Sequence, residues 1–245
     1  MTRFILASGS PRRRELFALF NLPFDIASAD VDETPHDGEA PAQMVARLSQ
    51  AKVSAVARLL ATPDDAIIIA ADTIVSLDGV PLGKPADRSD ARRMLRALRG
   101  RTHQVHTALT LLDTRTGDSL TDVATTDVPM REYGDDEIAA YIASGDPLDK
   151  AGAYAIQHNG FHPVAEMRGC FANVMGLPVC HLARALRAFG QKSPADIPVA
   201  CQSHIGYHCP VFADILASIT VAGDPHATAA GMGMSAYHTF EGATP

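Results

Sequence analysis

The stretch Ala66-Ile67-Ile68-Ile69-Ala70-Ala71-Asp72-Thr73 places six unbroken apolar residues before a carboxylate and a hydroxyl. A run of this kind suits a strand buried on both faces, where helices cover a sheet from two sides. It is read here as a central strand that stops at Asp72-Thr73. Just beyond, Val75 to Leu77, the turn pair Asp78-Gly79 and Val80 to Leu82 have the pattern of a hairpin. Upstream, Met44, Val45, Leu48, Ala51, Ala55 and Leu59 recur at helical spacing after Pro41, with Arg47 and Lys52 between them. That spacing predicts a long amphipathic helix.

Further out, Arg3 to Ala7 forms a short apolar strand followed by Ser8-Gly-Ser-Pro-Arg-Arg-Arg14, a tight loop with proline at the first position of a helix. A second apolar run, Phe24 to Ala27, leads into the acidic stretch Asp30 to Thr34. Downstream, Ser89 can cap a helix through Met94, Leu95 and Leu98 that stops at Gly100. Strands are expected at His103 to Leu112 and Leu120 to Met130, with helices over Asp135 to Ala143 and from Pro178 to about Phe189-Gly190. Strands and helices mix without strict alternation, so the fold class is α/β with a mixed, strongly twisted sheet flanked by helices. Past Gln191 the pattern turns to Lys-Ser-Pro-Ala-Asp-Ile-Pro and a stretch rich in His, Gly, Ala and Met. Residues 1–190 therefore read as one domain, and 191–245 as a linker with an appended tail.

Bulk properties narrow the function. The 245 residues are 47% hydrophobic, enough for a sizeable core, and 21 Lys and Arg stand against 28 Asp and Glu, a formal net charge of -7. A protein held to nucleic acid by charge needs a basic surface, and one that stacks bases needs more than 6% aromatics without Trp. Nucleic acid is therefore not an expected partner. No segment approaches a signal peptide or the ~20 apolar residues of a membrane span, and Cys170, Cys180, Cys201 and Cys209 are too sparse for a disulfide framework. A cytoplasmic protein with free thiols and no membrane partner is expected.

The chain has no phosphate-binding P-loop, no His-Glu-x-x-His and no Gly-x-Ser-x-Gly. What remains is charge at the ends of elements. Ser8 to Arg13 gathers hydroxyls, backbone N–H groups of a helix start and the guanidinium groups of Arg12 and Arg13, an arrangement that suits phosphate oxygens or an ordinary helix start with solvated arginines. Asp72, directly after a buried run, either coordinates a metal or needs a specific partner, or else caps a turn. With Glu33 it could seat Mg²⁺, which takes one or two carboxylates plus substrate oxygens. Lys52 and Lys84 are cations able to neutralise phosphate charge. His103 and His106 fall on different faces of a strand, so shared metal ligation is not expected.

The segments Leu6-Ala-Ser-Gly-Ser-Pro-Arg-Arg13, Val31-Asp-Glu-Thr34, Ala71-Asp-Thr73, Gly83-Lys-Pro85, Asp149-Lys-Ala-Gly-Ala-Tyr154 with Gln157, and Asn173-Val-Met-Gly-Leu-Pro178 occur in one order across residues 1 to about 190. This ordered set resembles the motifs of the Maf family. The resemblance implies an elongated, two-lobed α/β protomer with a central cleft, often a homodimer, that splits nucleoside triphosphates between the α and β phosphates with a divalent cation such as Mg²⁺ or Mn²⁺. It implies Asp72 as the catalytic acid/base, with Ser8, Arg12, Arg13, Glu33, Lys52 and Lys84 handling phosphate and metal. Arg12, Thr73 and Gln157 match positions linked to substrate choice, and Asp-Thr with a downstream Gln resembles the branch acting on dTTP and UTP. An alternative implied by the same family is an interaction protein that restrains cell division. In the tail, Cys201, His204, His208 and Cys209 have spacings that could bind Zn²⁺, although a mobile or partner-docked tail fits the surrounding composition better.

Overall fold

The computed structural model describes residues 2–60, 65–158 and 160–218. Six strands, β1 (Arg3–Ala7), β2 (Phe24–Ala27), β3 (Ala66–Leu77), β4 (Val80–Leu82), β5 (Thr102–Asp113) and β6 (Ser119–Pro129), form one mixed sheet in the order β2-β1-β3-β5-β6, with β4 also paired to β3. β1 runs parallel to β2 and β3, whereas β4 and β5 run antiparallel to β3 and β6 runs antiparallel to β5. Helices α1 (Pro11–Ala18), α2 (Pro41–Leu59), α3 (Arg88–Leu98), α4 (Asp135–Ala143), α5 (Phe171–Met175), α6 (Val179–Ala188), α7 (Ile197–Ile205) and α8 (Phe212–Ala217) cover it.

The unbroken apolar run follows from burial of β3 on both faces. Ala66, Ile68 and Ala70 pack with Ile5, Val53 and Val56 on the α2 side, whereas Ile67, Ile69 and Ala71 pack with Leu16, Phe17, Leu177 and Leu182 on the other. Side chains alternate across a strand, so a strand covered twice has no polar position to spare. β3 does not stop at Asp72-Thr73 as the sequence suggested. It continues to Leu77, with Asp72 paired to Lys52 and Thr73 hydrogen-bonded to Arg13 and within 3.0 Å of the Thr107 hydroxyl, so both polar groups are satisfied within the strand.

Each of β3 and β5 is 12 residues long, about 40 Å of extended chain. Such strands outrun a single core. One cluster gathers around the first half of β3 with α1, α6 and α7, and another gathers around Val75, Leu77, Val105 and Val128 with α3 and α4. The two lobes share these strands, and the cleft lies between them. On one edge β3 is paired to β1 through Ile69 and to β4 only from Val75, so no described strand covers residues 70–74 there. The interval contains Asp72 and Thr73, and the chain leaving β1 through Ser8 turns away at the same place.

α1 begins as read, with Ser10 as N-cap accepting from the Arg13 N–H and Pro11 in the first turn. α3 begins two residues earlier than Ser89 implied, because Asp87 is the cap and accepts from the Asp90 N–H at 2.8 Å. Residues 191–218, the described part of the stretch read as linker and tail, are largely helical and packed on the core. They form α7 and α8, and Ile197 and Cys201 are buried in the first core beside Cys170, Ala172 and Cys180. Tail residues 219–245 lie outside the described residues.

All four cysteines line one cavity of about 10 Å³ at the seam between α5–α6 and α7–α8. They are buried and unpaired, and burial pushes the thiols of Cys170 and Cys180 up to about 12 and that of Cys201 up to about 11. His204 and His208 are exposed while Cys201 and Cys209 turn inward, so the four do not assemble as zinc ligands. His103 and His106 are also separate: His103 Nε2 lies 2.7 Å from the Tyr154 hydroxyl, and His106 bridges Ser76 and Thr125 at 3.0 Å each.

Candidate active site

An open cleft of about 550 Å³ lies between the lobes, and Arg12, Arg13, Glu33, Lys52, Asp72, Thr73, Lys84 and Gln157 all line it. Eight of the nine residues singled out from the sequence thus converge, from the first turn of α1, the segment before α2, α2 itself, the middle of β3, the stretch after β4 and the segment after Tyr154. Ser8 is the exception. It is buried behind the cleft wall, where its hydroxyl receives the Ser10 N–H at 3.2 Å and Arg13 Nη1 at 3.4 Å.

Arg13 is held from three sides: Nε donates to the Gly176 carbonyl at 2.8 Å, Nη2 to Thr73 Oγ1 at 3.0 Å, and Nη1 to Ser8. Burial lowers its pKa and Asp72 opposes the shift, but a guanidinium stays charged in either case. Gly176 makes this grip possible. It caps α5 at φ +105°, and a β-carbon there would come 3.3 Å from Thr73 Oγ1 and 3.6 Å from Arg13 Nε.

Lys52, one turn beyond Leu48 on the buried face of α2, lies 2.5 Å from Asp72 Oδ1 and 2.8 Å from Glu33 Oε1. One ammonium therefore gathers two carboxylates. Asp72 is buried and Glu33 is exposed, and the hydrogen bond from Lys52 holds the Glu33 carboxyl below its usual range. Both carboxylates face one point of positive charge at the open cleft, a donor set that fits Mg²⁺ completed by phosphate oxygens and water. Among the described residues no three His, Cys, Asp or Glu side chains form a closed cage.

Lys150, within Asp149-Lys-Ala-Gly-Ala-Tyr154 and without a role expected from the sequence, also lines the cleft. Its ammonium donates to the Asp146 carbonyl at 2.5 Å and to Asp149 Oδ1 at 2.6 Å. Lys150 sits between two short 3-10 turns, Asp146–Asp149 and Ala151–Ala153, each too short to show periodicity in the sequence. Tyr154 forms part of the wall and is tied to His103 behind it. Arg12, Lys84 and Gln157 make no hydrogen bond or ion pair among the described residues, leaving two cations and an amide at the cleft for a ligand. Five cationic side chains face three carboxylates there, a local excess of positive charge in an acidic chain.

The model of the family described as Maf-like protein matches residues 3–189. Among curated proteins, the dTTP/UTP pyrophosphatase of Pelotomaculum thermopropionicum is 44% identical over 78% of this chain and 98% of its own length. The dTTP/UTP pyrophosphatase of Methylococcus capsulatus is 49% identical over 77% of this chain and 91% of its own length, and that of Anaeromyxobacter dehalogenans is 46% identical over 80% and 98%. Solved structures that align include a nucleoside-triphosphatase / dITP/XTP pyrophosphatase from Mycobacterium abscessus, 14% identical with a TM-score of 0.39 over 77% of this chain and 98% of that one. The Ham1 protein of Staphylococcus aureus aligns at 15% identity and a TM-score of 0.41, over 68% of this chain and 81% of that one.

Proposed function

The chain belongs to the Maf-like protein family, and we propose that it is a pyrophosphatase that hydrolyses dTTP and UTP to the monophosphate and pyrophosphate. The observation that carries the reading is the cleft itself. A buried carboxylate, Asp72, held by Lys52, lines the same cleft as the unengaged cations Arg12 and Lys84, at the place where β3 leaves one partner strand before gaining the next.

In this reading Arg12, Arg13, Lys84 and Lys150 bind the triphosphate, and the rigid hold on Arg13 limits the reorganisation needed as charge develops. Asp72 orients a water toward the α-phosphorus and accepts its proton. The new P–O bond stays with the monophosphate, and the bridging oxygen leaves with pyrophosphate. Glu33 and Asp72 would hold a divalent cation, which when bound acidifies water and spreads phosphate charge. Lys52 holds both carboxylates oriented toward that seat. Gln157 presents amide donors and an acceptor that suit the edge of a uracil or thymine ring. Thr73, engaged by Arg13, acts on substrate choice through that guanidinium. The reading also includes a homodimer and a cytoplasmic setting, which suits four free thiols. Among the described residues no helix is long and apolar enough to cross a membrane. No observation favours the cell-division alternative.

The test is hydrolysis of UTP in ¹⁸O-water with Mg²⁺ or Mn²⁺. Pyrophosphate should appear without orthophosphate, and the heavy oxygen should reside in UMP. Orthophosphate as the first product, or label in pyrophosphate, would remove attack at the α-phosphorus.

A further inference from the structure

α7 and α8 lie beyond residues 3–189, the span matched by the family model, yet they pack against the element that holds Arg13. Tyr207, in the turn between them, donates from its hydroxyl to the Met167 carbonyl at 2.9 Å and accepts from the Gly169 N–H at 3.4 Å. Its ring lies 5.4 Å from that of Phe171, the first residue of α5. All three contacts grip residues 167–171, the segment that leads into α5.

A helix of five residues has no stability of its own and takes its position from what holds it. On the sheet side, that hold centres on Asn173. Its Nδ2 donates to the Val105 carbonyl at 3.0 Å and Thr126 Oγ1 at 2.9 Å, and its backbone carbonyl accepts from Thr107 Oγ1 at 3.0 Å. Thr126 Oγ1 also reaches the Cys170 carbonyl, but at 3.4 Å this is a long contact, and a further anchor at that N-terminal end restrains rocking about Asn173. The C-terminal end then delivers the Gly176 carbonyl to Arg13 Nε at 2.8 Å. We infer that Tyr207 is a positioning residue for the reaction: by clamping residues 167–171 it sets α5, and through Gly176 it sets the guanidinium of Arg13 in the cleft. This rests on the pyrophosphatase reading for its kinetic consequence, but its structural part does not.

The experiment uses the full chain carrying Tyr207→Phe, which keeps the ring and removes the hydroxyl. Losing one such hydrogen bond should raise KM for UTP by about threefold to tenfold while kcat stays within about twofold, because Arg13 grips phosphate before and during the reaction. Combined with Arg13→Lys, the effects should be less than additive, as expected when one residue acts through the other. Backbone amides of residues 171–176 should exchange with deuterium faster in Tyr207→Phe than in wild type. His208→Ala, one exposed position further, should leave both KM and exchange unchanged. Strict additivity with Arg13→Lys, unchanged exchange at 171–176, or an equal KM rise in His208→Ala would overturn the assignment. A wild-type protein that releases no pyrophosphate from UTP would instead sink the enzyme reading, and the exchange comparison would still decide the clamp.

Discussion

Lys52 lies 2.5 Å from Asp72 with side chains only 17% and 9% exposed, so the two partners are not equivalent to remove. Asp72→Asn keeps the volume and leaves Lys52 its contact with Glu33, so the loss should be in rate. Pyrophosphate release is expected to fall by about 10²–10⁴, with little change in melting temperature. Activity within about threefold of wild type would take Asp72 out of the mechanism. Lys52→Met instead leaves a buried carboxylate without its cation and should cost about 3–5 kcal/mol, read from the urea midpoint. Asp72 was legible in the sequence because a carboxylate after six apolar residues must be accounted for. Lys150 was not, because nothing in Leu148-Asp-Lys distinguishes a lysine aimed at a cleft from a surface one until the two 3-10 turns around it are seen. Ser8 was legible as part of the phosphate-like loop, yet the fold puts its hydroxyl behind Arg13.

Among the elements, β3 and α5 carry the site in opposite ways. β3 is a long strand whose middle loses a neighbour on one edge, a feature that depends on the parallel partner β1 ending at Ala7 and is invisible in local pattern. Its composition nevertheless declared both the strand and its double burial. α5 is too short for periodicity, and its meaning lies in the cap. Gly176→Ala would force a side chain into φ +105° and against Thr73 Oγ1, and should cost about 1–3 kcal/mol while weakening UTP binding by moving the carbonyl that holds Arg13. Unchanged stability and KM would show that the backbone there relaxes freely. α7 had a readable signal that the surrounding His and Gly obscured: Asp196 as cap, Pro198 in the first turn, and Ile197, Cys201 and Ile205 spaced by four.

Across the whole molecule, acid should weaken the fold through His103, whose pKa burial pushes down to about 4 from an ordinary 6.5. The unfolded chain takes up the proton first, so the contribution is fully present above pH 6.5 and is lost as pH falls toward 4. The loss reaches about 3 kcal/mol. Urea midpoints measured from pH 7.5 to 4.5 should fall, and His103→Gln should flatten the slope; an equal slope in the variant would assign the acid sensitivity elsewhere. The two-lobed architecture was implied by the family resemblance, whereas its cause, two 12-residue strands shared by two cores, required the register. The gathering of every cysteine around one small cavity has a consequence for how the protein ages and how it can be watched. While the last two helices stay docked, an alkylating reagent meets no sulfur at all; once they lift, it meets all four together. Brief treatment with iodoacetamide should therefore yield two mass populations, untouched and fully labelled, and a ladder of one, two and three adducts would mean that the thiols are reached by separate, smaller motions.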